Sequence, residues 1–264
     1  MSYSDTTALQ PTAFFKEKMK VIIFPDRDEM GKKAAADTAD AIRSLLCEKE
    51  FVNIIFAAAP SQQESLYYLT KDTSIDWSRI NAFHMDEYIG LPDEATQRFG
   101  NFLKEHIFAK VPFRNVYYIN GNNPVPEDEC ARYTRLLTEN PVDIVCLGIG
   151  ENGHIAFNDP PVADFNDPDT IKVVELDYVC RRQQVNEKCF LQLDEVPTHA
   201  FSLTIPALLK ARYMFCVVPA LNKADAIFHT LNDEVSEKCP STILRIQQNV
   251  ILYLDSDSSS KLTL

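Results

Sequence analysis

Residues 147–160 read LGIGENGHIAFNDP, and this stretch holds three of the chain's seven glycines, Gly148, Gly150 and Gly153, around His154. Glycine serves where the backbone turns with positive φ or something must approach closely, so this crowding in a glycine-poor chain marks a built site. Histidine gives and takes protons at neutral pH, because its unperturbed pKa is about 6.5. Asn152 and Asp159 bracket the histidine and have the chemistry to orient its imidazole through the second ring nitrogen. A loop histidine bonded to backbone for structural reasons is the competing reading. A second polar cluster, NAFHMDEY at residues 81–88, follows a short apolar run and ends on the adjacent carboxylates Asp86 and Glu87. Side chains alternate faces along a strand, so one of the two faces a given pocket. A carboxylate in a partly desolvated cleft has its pKa raised, which suits a base that removes a proton next to a carbonyl or imine. Glu87 reads equally well as a solvated or ion-paired side chain.

Metal and nucleotide chemistry find less support. His84, Asp86 and His154 match no zinc or facial-triad spacing, and His106, His199 and His229 are scattered, so no metal is expected. GIGENG approximates a dinucleotide-binding glycine pattern but lacks the helix-opening context and the later acidic partner. No cofactor is expected.

These clusters need elements to position them. The pattern before residue 148 is that of a buried strand, which places the glycine-rich loop at a strand's carboxyl end, where open α/β sheets bind ligands. Strand-like runs at 20–24, 52–59, 79–83, 116–119 and 143–147 alternate with helical patterns: a long amphipathic stretch to about 47, one from about 61, and others at 101–109 and 127–137. Further strands are expected at 171–176, 200–205, 213–218 and 250–254, with helices from 178 and 223. This alternation predicts parallel strands joined by crossover helices. The polar tail at 256–264 is expected to fray.

With 264 residues the chain is long enough for one large α/β domain or two small ones. A formal charge of −12, from 38 acidic and 26 basic residues, argues against electrostatic binding of nucleic acid or an anionic membrane and favours a small-molecule site. Seven cysteines without CxxC pairing read as reduced structural thiols, which points to the cytoplasm. No signal-peptide core and no run approaching the roughly 20 apolar residues of a membrane span is present. A homo-oligomer is left open.

Together FHMDEYIGLP at 83–92 and LGIGENGHIAFNDP at 147–160 resemble the glucosamine-6-phosphate deaminase (isomerase) family, whose fold is shared with 6-phosphogluconolactonases and ribose-5-phosphate isomerases. Weaker likeness runs through DEVPTHAFSLTI and the segment 222–224. The resemblance implies one domain over residues 1–264, with 1–18 as an N-terminal extension. Its fold would be a three-layer Rossmann-like α/β sandwich with a mostly parallel sheet. The implied reaction is aldose–ketose isomerisation with loss of ammonia from an amino sugar phosphate, without metal or organic cofactor. Asp86 matches the base that moves a proton between C2 and C1, and His154 the group that opens the pyranose ring, with Asn152 and Asp159 orienting it. Lys223 matches a phosphate-binding residue; Lys188 stands near a phosphate-binding arginine, with Arg181 and Arg182 as competitors. Ser61, Gln62, Glu87 and Gly153 complete the expected substrate-binding set. A lactone hydrolase or a non-catalytic sugar-binding protein on the same fold are the alternatives.

Three departures from the family pattern stand out. Asn152 and Asp159 replace an aspartate and a glutamate, and an amide orients an imidazole without stabilising its cation as a carboxylate would. The glycine-rich phosphate turn after the second strand is replaced by PSQQES at 60–65. Glu64 then brings a negative charge towards a dianion, a repulsion on the order of 4 kcal/mol at about 4 Å and an effective dielectric near 20. Glu64 must turn away or pair with Lys223, or else the ligand differs. Thr170 stands where allosterically activated members carry arginine, so allosteric control is not carried over.

Overall fold

The computed structural model describes residues 11–186 and 188–263. Its frame is an eight-stranded sheet. The strands in chain order are β1 (Thr12–Lys16), β2 (Met19–Ile23), β3 (Val52–Phe56), β4 (Ile80–His84), β6 (Asn115–Tyr117), β7 (Ile144–Leu147), β10 (Tyr213–Val218) and β11 (Val250–Leu254). Their spatial order is β1-β2-β11-β10-β7-β3-β4-β6; all neighbours are parallel except β1 against β2. Register across β3, β4 and β6 is marked by an amide ladder: Asn81 donates to Asn53 Oδ1 and Asn115 donates to Asn81 Oδ1, each at 2.8 Å.

Strand alternation sends side chains to two different cores. Ile54 and Phe56 of β3 face a core shared with α1 (Arg27–Glu48) and α2 (Gln63–Lys71), whereas Ile55 faces the opposite one. Helix α1 starts where Asp26 accepts a hydrogen bond from the Glu29 N–H at 2.9 Å, a side-chain cap for an otherwise orphan donor. Its buried face runs through Met30, Ala34, Ala35, Ile42 and Leu45 at helical spacing. The same layer holds α3 (Phe99–Leu103), which continues into a π-helical turn over Lys104–Phe108. The opposite layer contains α4 (Pro126–Glu139), α6 (Ile205–Leu208) and α7 (Ala224–Asn232). The three-layer, mostly parallel arrangement expected from the sequence is therefore present.

A second sheet departs from that expectation. The segments expected at 171–176 and 200–205 form β8 (Ile171–Glu175) and β9 (His199–Leu203), which are antiparallel to each other. With β5 (Asp86–Tyr88) they form a separate three-stranded sheet, β5-β9-β8. Helix α5 (Tyr178–Asn186) packs near this sheet around a small core of Tyr88, Phe157, Val174, Leu176 and Cys180.

Both chain ends correct the sequence reading. Within the expected extension 1–18, residues 1–10 lie outside the described residues, but Thr12–Lys16 is a sheet strand in register with Met19–Ile23. In the tail expected to fray at 256–264, of which residue 264 lies outside the described residues, Ser258 is fully buried, its N–H reaches Asp255 Oδ1 at 2.7 Å, and Ser259 Oγ donates to the Asp255 carbonyl at 2.8 Å. All seven cysteines are free thiols. No described helix is long and apolar enough to cross a membrane.

Candidate active site

Four neighbouring strands, β4, β3, β7 and β10, end on one rim of the sheet, and a cleft of about 210 Å³ opens there. Its walls take Asp86 from beyond β4, Ser61 from beyond β3, His154 from beyond β7 and Lys223 from beyond β10. Asp86 and His154 thus share one cavity, at the carboxyl ends of parallel strands.

Asp86 is held from behind by His84. The His84 Nε2 accepts the Ile119 N–H at 2.8 Å, so its Nδ1 carries the hydrogen and donates to the Asp86 carbonyl, also at 2.8 Å. Complete burial drives the His84 pKa down to about 4, which keeps this ring neutral and both its nitrogens occupied. Tyr133 clamps the same peptide, donating its hydroxyl to the His84 carbonyl at 2.9 Å and accepting the His84 N–H at 3.0 Å. The Asp86 carboxyl receives no hydrogen bond from the described residues. Burial, and then the neighbouring Glu87 charge, push its pKa well above the ordinary carboxylate value.

His154 is oriented by two acceptors. Its Nδ1 lies 2.8 Å from Asn152 Oδ1 and 2.9 Å from Asp159 Oδ1, so Nδ1 carries the hydrogen and Nε2 keeps the lone pair. Asn152 also donates to Asp159 Oδ1 at 2.8 Å and accepts the His154 backbone N–H at 3.1 Å. Burial opposes the charged form of Asp159, but the contacts with His154, Asn152 and Cys180 outweigh it and lower its pKa. A Cβ at Gly150 would overlap the imidazole, so glycine is required for the ring to lie against this turn. Asn152 and Asp159 act through His154; neither lines the cleft.

The two clusters are tied together by Ser202, which lies in the DEVPTHAFSLTI segment but was given no role from the sequence. It pairs with Asp86 across β5 and β9, and its Oγ accepts the Phe157 N–H at 3.0 Å. A shift of the small sheet would move both.

Several expected substrate-binding residues have other duties. Glu87 does not face the cleft: its carboxylate accepts backbone N–H groups of Tyr88 and Gly100 at 2.9 Å and of Phe99 at 3.1 Å, closing the start of α3. Burial pushes its pKa up to about 7 although the Gly100, Phe99 and Tyr88 N–H groups and Arg98 pull the other way. Strand alternation thus sends Asp86 to the cleft and Glu87, expected to bind substrate, away from it. Gly153 supplies a positive-φ turn (83°) packed against Cys239 and is absent from the lining. Gln62 is buried behind the wall, donating to Ser61 Oγ at 3.0 Å and the Val217 carbonyl at 3.1 Å. Lys188 is exposed beyond α5 and does not reach the lining. Of its competitors, Arg181 is spent on the Leu193 and Val196 carbonyls and Arg182 is exposed.

The structure adds residues that the sequence reading missed. Arg27, at the start of α1, lines the cleft and donates to Glu64 Oε2 at 2.8 Å and to the Pro60 carbonyl at 3.0 Å. Glu64 therefore pairs with Arg27, an arrangement separate from the expected Lys223 contact. Gln183 and Gln184 of α5, together with Asn222, complete the rim.

A sequence profile described as glucosamine-6-phosphate isomerases/6-phosphogluconolactonase matches residues 25–253. The glucosamine-6-phosphate deaminase of Bacillus cereus (strain B4264) is 38% identical over 203 residues, covering 77% of this chain and 76% of that protein. That of Bacillus thuringiensis (strain Al Hakam) is 37% identical over the same share of each chain. Among solved structures, a monomeric glucosamine-6-phosphate deaminase superposes with a TM-score of 0.81 at 27% identity, over 91% of this chain and 98% of the other. The 6-phosphogluconolactonase of Thermotoga maritima shares the fold with a TM-score of 0.73 at 20% identity, over 90% and 100% of the two chains. On the strength of a match spanning most of its length, this chain belongs to the glucosamine-6-phosphate isomerase/6-phosphogluconolactonase family.

Proposed function

We propose that this protein converts a 2-amino-2-deoxyhexose 6-phosphate, glucosamine 6-phosphate first and galactosamine 6-phosphate second, into a ketose phosphate and ammonia. The observation that carries this reading is the unpartnered, buried Asp86 carboxyl in the same cleft as an imidazole with a free lone pair. His154 Nε2 takes the anomeric hydroxyl proton and returns a proton to the ring oxygen, opening the pyranose. Asp86 removes the proton from C2 of the open form and delivers it to C1. The resulting ketimine adds water and releases ammonia, so one sugar amine and one water become one ketone and one ammonia. Each acid–base role is of the kind that contributes about 10²- to 10⁴-fold in rate. Asn152 and Asp159 hold the imidazole, while Ser61, Lys223 and Arg27 form the anion-holding wall. The named activity of the relatives supports the same substrate class.

A lactone hydrolase would need the histidine and a water but no C2 base, which leaves Asp86 without a task. The seven reduced thiols and the metabolic reaction fit a cytoplasmic setting. The test is direct: glucosamine, glucosamine 6-phosphate, galactosamine 6-phosphate and 6-phosphogluconolactone are supplied separately, and ammonia and acid are measured. Ammonia from a phosphorylated amino sugar is expected. Acid from the lactone with no ammonia from either amino sugar phosphate would overturn the proposal.

A further inference from the structure

Gln184 lines the cleft with a side-chain amide that makes no hydrogen bond among the described residues. It is 6% exposed, and its backbone carbonyl accepts the Cys189 N–H at 3.0 Å. A largely buried amide that opens into a cleft is placed to bond whatever occupies that cleft. Its position is fixed by its helix. Cys180 contacts Asp159, Arg181 holds the carbonyls of Leu193 and Val196, and Gln183 accepts the Glu151 N–H at 2.9 Å. Asn222 grips the Glu151 side chain from the other rim at 2.8 Å. Helix α5 is therefore pinned against the His154 loop, and Gln184 is presented to the cleft on a fixed support.

We propose that Gln184 contacts the substrate and sets its specificity, its amide exchanging hydrogen bonds with one hydroxyl of the sugar chain. The chemistry of the group selects this partner. An amide offers both a donor and an acceptor, and a hydroxyl answers both. A phosphate at neutral pH answers chiefly the donor and would leave Oε1 unpaired, and the cationic groups Arg27 and Lys223 already lie on the wall. The inference rests on the sugar phosphate reading above. A site built to bond a substrate hydroxyl discriminates strongly against an analogue that lacks it, because the site's polar group is then left unpaired.

The experiment compares the parent with Gln184→Met, which keeps length and removes polarity. Turnover is measured on glucosamine 6-phosphate and on its 3-deoxy and 4-deoxy analogues. Gln184→Met is expected to lose about 10- to 100-fold in kcat/KM on the full substrate and little on one of the two deoxy sugars, while its melting temperature holds because the amide makes no hydrogen bond with the described residues. An unchanged kcat/KM overturns the proposal, as does an equal loss on all three sugars or a lowered melting temperature, which marks a structural role. If the parent releases no ammonia from any amino sugar phosphate, the reaction itself fails. The thermal shifts that fructose 6-phosphate and its 3-deoxy and 4-deoxy analogues give to parent and variant then decide the Gln184 contact by the same pattern.

Discussion

Asn152 holds three separate groups of the histidine turn at once: the His154 ring, the His154 N–H and the Asp159 carboxylate. Removing it takes away one of the two acceptors that fix the imidazole while leaving the cleft walls intact, so Asn152→Ala should lower kcat by roughly tenfold with KM little changed in steady-state assays. Glu64 shows how a local charge departure is absorbed. It lies 2.8 Å from Arg27 and is partly exposed, so it neutralises one cation of the wall in a solvent-screened setting. Glu64→Gln should release that guanidinium and lower KM for the phosphorylated substrate by about threefold to tenfold, a change of about 1 kcal/mol. An equal effect on the unphosphorylated sugar would show that the pair does not face the phosphate. The proposed catalytic pair, Asp86 and His154, stands out in the sequence because glycine crowding and a DEY motif mark it locally. Arg27, Gln183 and Gln184 do not, because they are ordinary helix residues whose place on the wall depends on how α1 and α5 pack.

At the level of elements, β5 is a short strand that carries two carboxylates with opposite assignments. Asp86 turns to the cleft, and Glu87 turns to the start of α3 and takes three backbone N–H groups. Glu87→Gln replaces one acceptor oxygen with an NH₂ that confronts an N–H donor. It should destabilise the protein by about 1–3 kcal/mol in denaturant unfolding and, by removing the charge beside Asp86, bring the Asp86 pKa down. The sequence reading found the strands of the parallel sheet because each is a short apolar run between helices. It missed that β8 and β9 leave that sheet: hydrophobic runs show that strands exist, whereas pairing direction is set by contacts distant in sequence. Glu87 was likewise misplaced, since a motif does not show which neighbouring N–H groups a carboxylate will meet.

Across the whole molecule, the buried carboxyls couple chemistry to stability. Burial raises the pKa of Asp86 and brings that of Glu87 to about 7, so the folded chain holds these protons more tightly than the unfolded chain does. Their stabilising contribution is complete below the ordinary carboxylate range and is lost as pH rises through the folded values, for Glu87 through about 7. The melting temperature should therefore fall between about pH 5 and about pH 8, and fall less steeply in Asp86→Asn. A fall of equal steepness in parent and variant would show that Asp86 does not take part. The tail after β11 was expected to fray because it is polar, yet Ser258 and Ser259 close a turn on Asp255, which also accepts the Ala220 N–H at 3.0 Å at the base of the Lys223 segment.

The central claim is that Asp86 and His154 act on one sugar from one cleft. Its most direct test is ammonia release from glucosamine 6-phosphate by Asp86→Asn, measured beside the thermal shift given by fructose 6-phosphate. The account predicts that release falls by about 10²- to 10⁴-fold while the ligand still stabilises the variant. Ammonia release at the parent rate by Asp86→Asn would contradict it.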